Sequence, residues 1–193
     1  MKILVSLRIA LFAIASLGLL QAGVAAAPAA TPAHDGQHDF DFNIGTWKTE
    51  IRRLVNPLSG SHTWVTYSGT HTVRKVWDGR ADLGELEITG TSGSVKGQHI
   101  EDTALRLYNP DARQWNVYLA SSKSGTLGAP MVGEFKDGIG VFINQDTYQG
   151  RTVLVRDVWS RITPTTCHNE WAYSDDGGKT WEVNWIADDT RVE

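Results

Sequence analysis

The stretch from Gly150 to Trp185, GRTVLVRDVWSRITPTTCHNEWAYSDDGGKTWEVNW, limits the fold more than any other. Val153–Ser160 and His168–Ser174 are rich in β-branched and aromatic residues, and Pro164 with its flanking threonines stops the first run. Asp175-Asp176-Gly177-Gly178 then supplies residues that tolerate positive φ or cap a turn with a side-chain oxygen, and Trp181–Ile186 returns. Three antiparallel strands with one apolar face form the smallest sheet that holds itself together. This unit is therefore read as the closing part of a larger all-β domain.

The preceding chain continues the pattern. Thr46–Leu54, His62–Tyr67, Thr70–Trp77, Leu83–Thr89, Ala104–Tyr108, Gln114–Ala120, Val132–Phe135 and Gly140–Tyr148 read as further strands. Turn residues separate them at Asn56–Gly60, Asp78-Gly79, Asn109–Asp111 and Lys136–Gly138. Ser68-Gly69 leaves open whether residues 62–77 make one bent strand or two. Phe40–Ile44 reads as a short helical turn that plugs one end of the sheet. Nearly every connection is short, which predicts a single antiparallel meander of about nine to eleven strands closing into a β-barrel. Ser121–Pro130 is the longest polar loop, and it reads as a lid.

Met1–Ala26 has the composition of a secretory signal. Lys2 and Arg8 are its only charges, Ile9–Leu20 is apolar, and Val24-Ala25-Ala26 suits a signal peptidase. The apolar run is short for a membrane span, so the mature chain is expected in the periplasm or outside the cell, with no stable membrane insertion after cleavage. Residues 27–38 are rich in Ala and Pro at the start and read as a flexible leader; residues 39–193 form the barrel domain. Removing the signal takes two positive charges from a chain of net charge −4, and the acidic remainder argues against nucleic acid as a partner. Cys167 is the single cysteine, so stability comes from burial and not from an internal disulfide.

FDFNIGTWKTE (Phe40–Glu50) resembles the opening of calycin-type barrels, where a Gly-x-Trp follows a short helical turn. LRLYNPDARQW (Leu105–Trp115), INQDTYQGRTVLVRDVWSRITP (Ile143–Pro164) and SDDGGKTWEVNW (Ser174–Trp185) extend the likeness over Asp39–Arg191. Together these segments resemble a widespread bacterial family of exported, lipocalin-like domains of unknown function. The resemblance implies a calycin-like barrel with a central cavity and carries no catalytic set. Cys167-His168-Asn169 departs from it, since bulkier aromatic or basic residues are expected there. Ser174-x-Asp176-x-Gly178-x-Thr180-Trp181 also matches the Asp-box of sialidases. One copy in a chain of this length is read as a stapled hairpin, because propellers repeat the box over several blades.

The candidate ligand-binding residues are Trp64, Tyr108, Tyr118, Asp146, Arg156, Trp159, Glu170, Trp171 and Trp185. Trp and Tyr supply broad amphipathic surfaces for planar or apolar ligands. Arg156 offers a cationic anchor for a ligand carboxylate if its strand turns it inward. Trp159, Trp171 and Trp185 come from three successive strands and are expected to share one patch. The leading expectation is a binding module for a small apolar or aromatic molecule. The alternatives are an enzyme using Asp146 or Glu170 as proton carrier, and a structural or interaction protein whose barrel is filled by its own side chains. His62, His71, His99 and His168 lack ligand spacing, so no metal or cofactor is assigned, and no catalytic residue is assigned either.

Overall fold

In β1 (Gly45–Leu54), Trp47, Thr49 and Ile51 are buried while Lys48, Glu50 and Arg52 are exposed. That period of two is what a strand requires when only one face meets the core. The same alternation runs through β2 (Trp64–Val76), β3 (Ala81–Gly90), β4 (His99–Asn109), β5 (Gln114–Ser121) and β6 (Met131–Lys136). It continues through β7 (Ile139–Tyr148), β8 (Arg151–Ser160), β9 (Thr166–Ser174) and β10 (Glu182–Arg191). Each strand pairs antiparallel with its sequence neighbour, and β10 pairs with β1, so the sheet closes into a ten-stranded up-and-down barrel. The computed structural model describes residues 34–192. The export signal read at residues 1–26 and the leader residues 27–33 lie outside the described residues. Among those described, no helix is long and apolar enough to cross a membrane.

Residues 64–76 form one strand that runs through Gly69, with β3 paired to it from Tyr67 to Val76 without a register shift. A Cβ at Gly69 would sit 2.0 Å from the Glu87 carbonyl oxygen and 2.7 Å from the Ile88 Cα. Only glycine lets β3 approach that closely.

One end of the barrel is plugged by aromatic rings. Phe40 meets Trp115 edge-on at 5.2 Å and Phe135 at 4.9 Å, and stacks on Phe142 at 5.3 Å. The helical turn expected here is a 3₁₀ turn, Asp41–Asn43. Its plugging residues are buried Phe40 and half-buried Phe42; Ile44 does not join that cluster. The Trp47 indole nitrogen donates to the Asn43 carbonyl at 2.8 Å, and the Arg191 guanidinium lies 4.1 Å over the Trp47 ring. Arg191 also donates to the carbonyls of Ile44, Phe42 and Pro164, tying the last strand to the start of the first.

The plug begins earlier than the sequence suggests. Gly36 and Asp35, read as part of a flexible leader, accept hydrogen bonds from the Trp115 indole and the Tyr108 hydroxyl. Buried ring donors need acceptors, and this segment supplies them.

The β9–β10 hairpin is held by its own side chains. Asp176 accepts from the Lys179 and Thr180 amides and the Thr180 hydroxyl, and Ser174 Oγ accepts from the Gly178 amide. These donors favour the ionised form and hold the Asp176 carboxyl far below its ordinary value. The Trp181 indole donates to the Gly178 carbonyl at 3.1 Å.

Candidate functional site

The inward faces of the strands do not fill the barrel. They enclose a cavity of about 750 Å³ that opens at the end opposite the aromatic plug. Its upper walls carry Leu86, Leu119, Val155, Tyr148 and Tyr173. Ser124, Thr126, Gly128 and Ala129 line it from the loop read as a lid. That loop occupies a gap in the sheet. β5 and β6 pair only over Trp115↔Gly133, Asn116↔Val132 and Val117↔Met131. Towards the mouth the loop takes the place of a strand, through the bridge Ala120↔Leu127 and the Gly128 amide on the Leu119 carbonyl.

Three tryptophans from successive strands line this cavity: Trp159 from β8, Trp171 from β9 and Trp185 from β10. Trp171 and Trp185 are direct cross-strand partners. The register slips between Val183 and Trp185, and this bulge puts both Asn184 and Trp185 on the cavity wall.

The floor, by contrast, is polar. Arg106 is 2% exposed; its Nε donates to Asp82 at 2.6 Å, and its guanidinium lies 4.5 Å over Phe40 and 5.7 Å from Trp159. With the Asn43 amide oriented to suit its neighbours, Asn43 Oδ1 accepts from both terminal nitrogens of Arg106, at 2.7 and 3.3 Å. Gly84 makes room here, since a Cβ would sit 2.9 Å from His71 Nε2 and 3.3 Å from Arg106. Asp157, 2% exposed, accepts from the Asn169 amide and from the Trp159 indole at 3.0 Å. Burial pushes the Asp157 carboxyl up to about 6, and those hydrogen bonds offset only part of the effect. Burial likewise raises Asp82, although Arg106 beside it pulls the other way. Asp189, 4% exposed, lies beside Cys167 and His71. Burial and the Asp189 charge push the Cys167 thiol well above its ordinary value, which makes it a poor nucleophile.

Of the residues singled out from the sequence, Trp159, Trp171, Trp185 and Asp146 line the cavity. The others lie elsewhere. Arg156 points outward and stacks 4.4 Å over Trp181, because its strand neighbours Val155 and Asp157 take the inward positions. Glu170 is outside the barrel, where His168 bridges it at 2.9 Å and Asp188 at 2.6 Å. Trp64 sits on the outer face, 37% exposed, since Val65 beside it points in. Tyr118 is likewise outward of Val117 and Leu119, and Tyr108 belongs to the closed end.

Arg106, Asp157, Asn169 and Asp189 were missed, and His71 was weighed only as a metal ligand, although parity carried a usable signal. Residues two apart share a face, so Trp159 inward forces Asp157 inward and Arg156 outward. His71 faces the cavity alone of the four histidines His62, His71, His99 and His168. Among the described residues no three potential ligands gather as a metal site.

No protein-family model and no curated protein matches the chain. Among solved structures it is similar to the S-type phycobiliprotein lyase CPES from Guillardia theta. The TM-score is 0.53 and the identity 13%, over 80% of this chain and 90% of that one. At that identity the likeness is one of fold, a calycin-like barrel.

Proposed function

We propose that this barrel binds a small, largely apolar aromatic molecule in its central cavity. One observation carries the reading. A cavity of about 750 Å³ lies inside a closed barrel, lined by three tryptophans and other apolar side chains together with many polar ones. Ligand pockets fall at roughly 300–1,000 Å³, and the apolar and aromatic part of this wall suits an apolar ligand body. A barrel filled by its own side chains leaves no such volume, so that alternative has no support. The fold likeness to a phycobiliprotein lyase agrees with a small-molecule barrel.

The neutral fluorophore N-phenyl-1-naphthylamine tests the reading. Its emission should rise to saturation at one molecule per chain. Trp171→Ala should weaken binding by about tenfold, in line with the loss of one aromatic contact face. Arg156→Ala should leave it unchanged, because that side chain lies outside the barrel. A wild-type protein that leaves the fluorophore dark would end the proposal.

A second reading, an enzyme in the same cavity, is favoured by Asp157. It faces the cavity, is shielded from water, and burial pushes its carboxyl up to about 6, so it joins Asp146 on the cavity wall as a proton carrier, whereas Glu170 lies outside the barrel. Turnover that collapses in Asp157→Asn while affinity persists would favour the enzyme over the binder. We also read the chain as a member of the exported lipocalin-like family, on the composition of Met1–Ala26 and the segments quoted above. N-terminal sequencing should find a mature start near Ala27 in the periplasm or medium; an intact Met1 in the cytoplasm would refute export.

A further inference from the structure

The sequence favours a ligand carboxylate met by an inward arginine, and the floor does not offer that partner. Arg106, the inward arginine, is already matched: Asp82 holds Nε, Asn43 holds the terminal nitrogens, and aromatic rings flank its plane. Arg53, the other arginine on the lining, is exposed near the mouth. Against these stand four aspartates on the same lining: Asp102, Asp146, Asp157 and Asp189.

The unpartnered atoms point the same way. Among the described residues, three buried side-chain atoms on the cavity lining lack a hydrogen-bond partner: Asp102 Oδ1, Asn144 Oδ1 and Asp189 Oδ1. All three are acceptors. Asp189 is the deepest case, with its side chain 4% exposed. Its Oδ2 has only the weak Cys167 thiol donor at 3.7 Å and His71 Nδ1 at 3.8 Å, the latter beyond hydrogen-bond reach. A buried carboxylate oxygen without a donor is costly, and a group that supplies a donor and a positive charge recovers that cost.

We infer that the cavity is built for an organic ammonium ligand, whose N–H groups meet the Asp189 carboxylate while its aromatic body lies among Trp159, Trp171 and Trp185. The inference rests on the cavity being a ligand site. Tryptophan faces suit such a ligand twice over, since they cover its apolar body and attract a nearby cation through the ring quadrupole. A carboxylate at the same depth would meet the Asp189 charge with no free arginine to offset it.

Three probes that share one ring system separate the possibilities: tryptamine, 3-methylindole and indole-3-acetate, each titrated calorimetrically into the wild-type protein at pH 7.5. Tryptamine should bind at least about tenfold more tightly than the other two. In Asp189→Asn, which keeps the side-chain volume, that gap should close to within about twofold. A smaller wild-type gap, or indole-3-acetate as the tightest probe, overturns the ammonium assignment and leaves the cavity a ligand site. If none of the three binds, the cavity reading itself falls. The wild-type comparison stands whether or not the variant folds.

Discussion

At Asp157 two effects oppose each other: burial favours the protonated form, while the Asn169 and Trp159 donors favour the ionised one. Burial wins, and the carboxyl titrates at about 6 against an ordinary value of 3.8. The folded state thus holds this proton more tightly than the unfolded chain. The stabilisation is complete below about pH 4 and is lost as the pH rises through about 6, with a total near 3 kcal/mol. Wild type should therefore lose stability against Asp157→Asn by about that amount between pH 4 and 7, read from urea unfolding at each pH. A difference that stays flat across the window would mean that Asp157 is not held protonated. Arg156, one residue away, shows the limit of reading charge without parity. Its type suited an anchor, but the pleat turned it out onto Trp181.

Among the elements, β2 depends on a single glycine position, Gly69. Ser68-Gly69 marked a break in the sequence without saying whether the strand ended there, because glycine serves in turns and kinks alike. Unbroken pairing with β3 across Ser68, Gly69 and Thr70 resolves it as one strand, in which the Glu87 carbonyl passes 2.0 Å from where a Cβ would stand. Neither contact atom can yield, since both belong to the β3 backbone. Gly69→Ala should cost about 3 kcal/mol or more, seen as a fall in thermal midpoint of roughly 6–12 °C. An unchanged midpoint would show that β2 and β3 part easily. The β9–β10 hairpin is the opposite case: every residue of its Asp-turn was legible, because its hydrogen bonds run within eight residues of chain.

Across the whole molecule, Arg191 forms a long-range clamp beside the β1–β10 ladder. Arg191 donates to the carbonyls of Phe42, Ile44 and Pro164 and covers Trp47. Arg191→Ala should lower stability by about 3 kcal/mol, because it strands carbonyl acceptors at the closed end and uncovers the indole. Denaturant unfolding of the two proteins measures this directly. Arg191→Lys should restore less than half of the loss, because an ammonium cannot present a planar fork to three carbonyls while stacking on a ring. Equal stability of all three chains would place closure in the strand ladder alone.

The sequence by itself determined what depends on near neighbours. Alternating apolar residues and turn chemistry yielded an all-β meander of about the observed number of strands. The tertiary structure decided the rest. Only closure of the barrel set which face of each strand looked inward, and a one-residue change of parity exchanges every side chain between lumen and solvent. Trp159 and Arg156 could not both face the cavity from one regular strand, yet no local signal chose between them. The bulge before Trp185 shifts parity within a strand, and strand composition does not disclose it. The polar floor lay further still from sequence reach. Arg106, Asp157 and Asp189 stand on β4, β8 and β10, far apart along the chain, and it is the curl of the sheet that gathers them beneath one cavity.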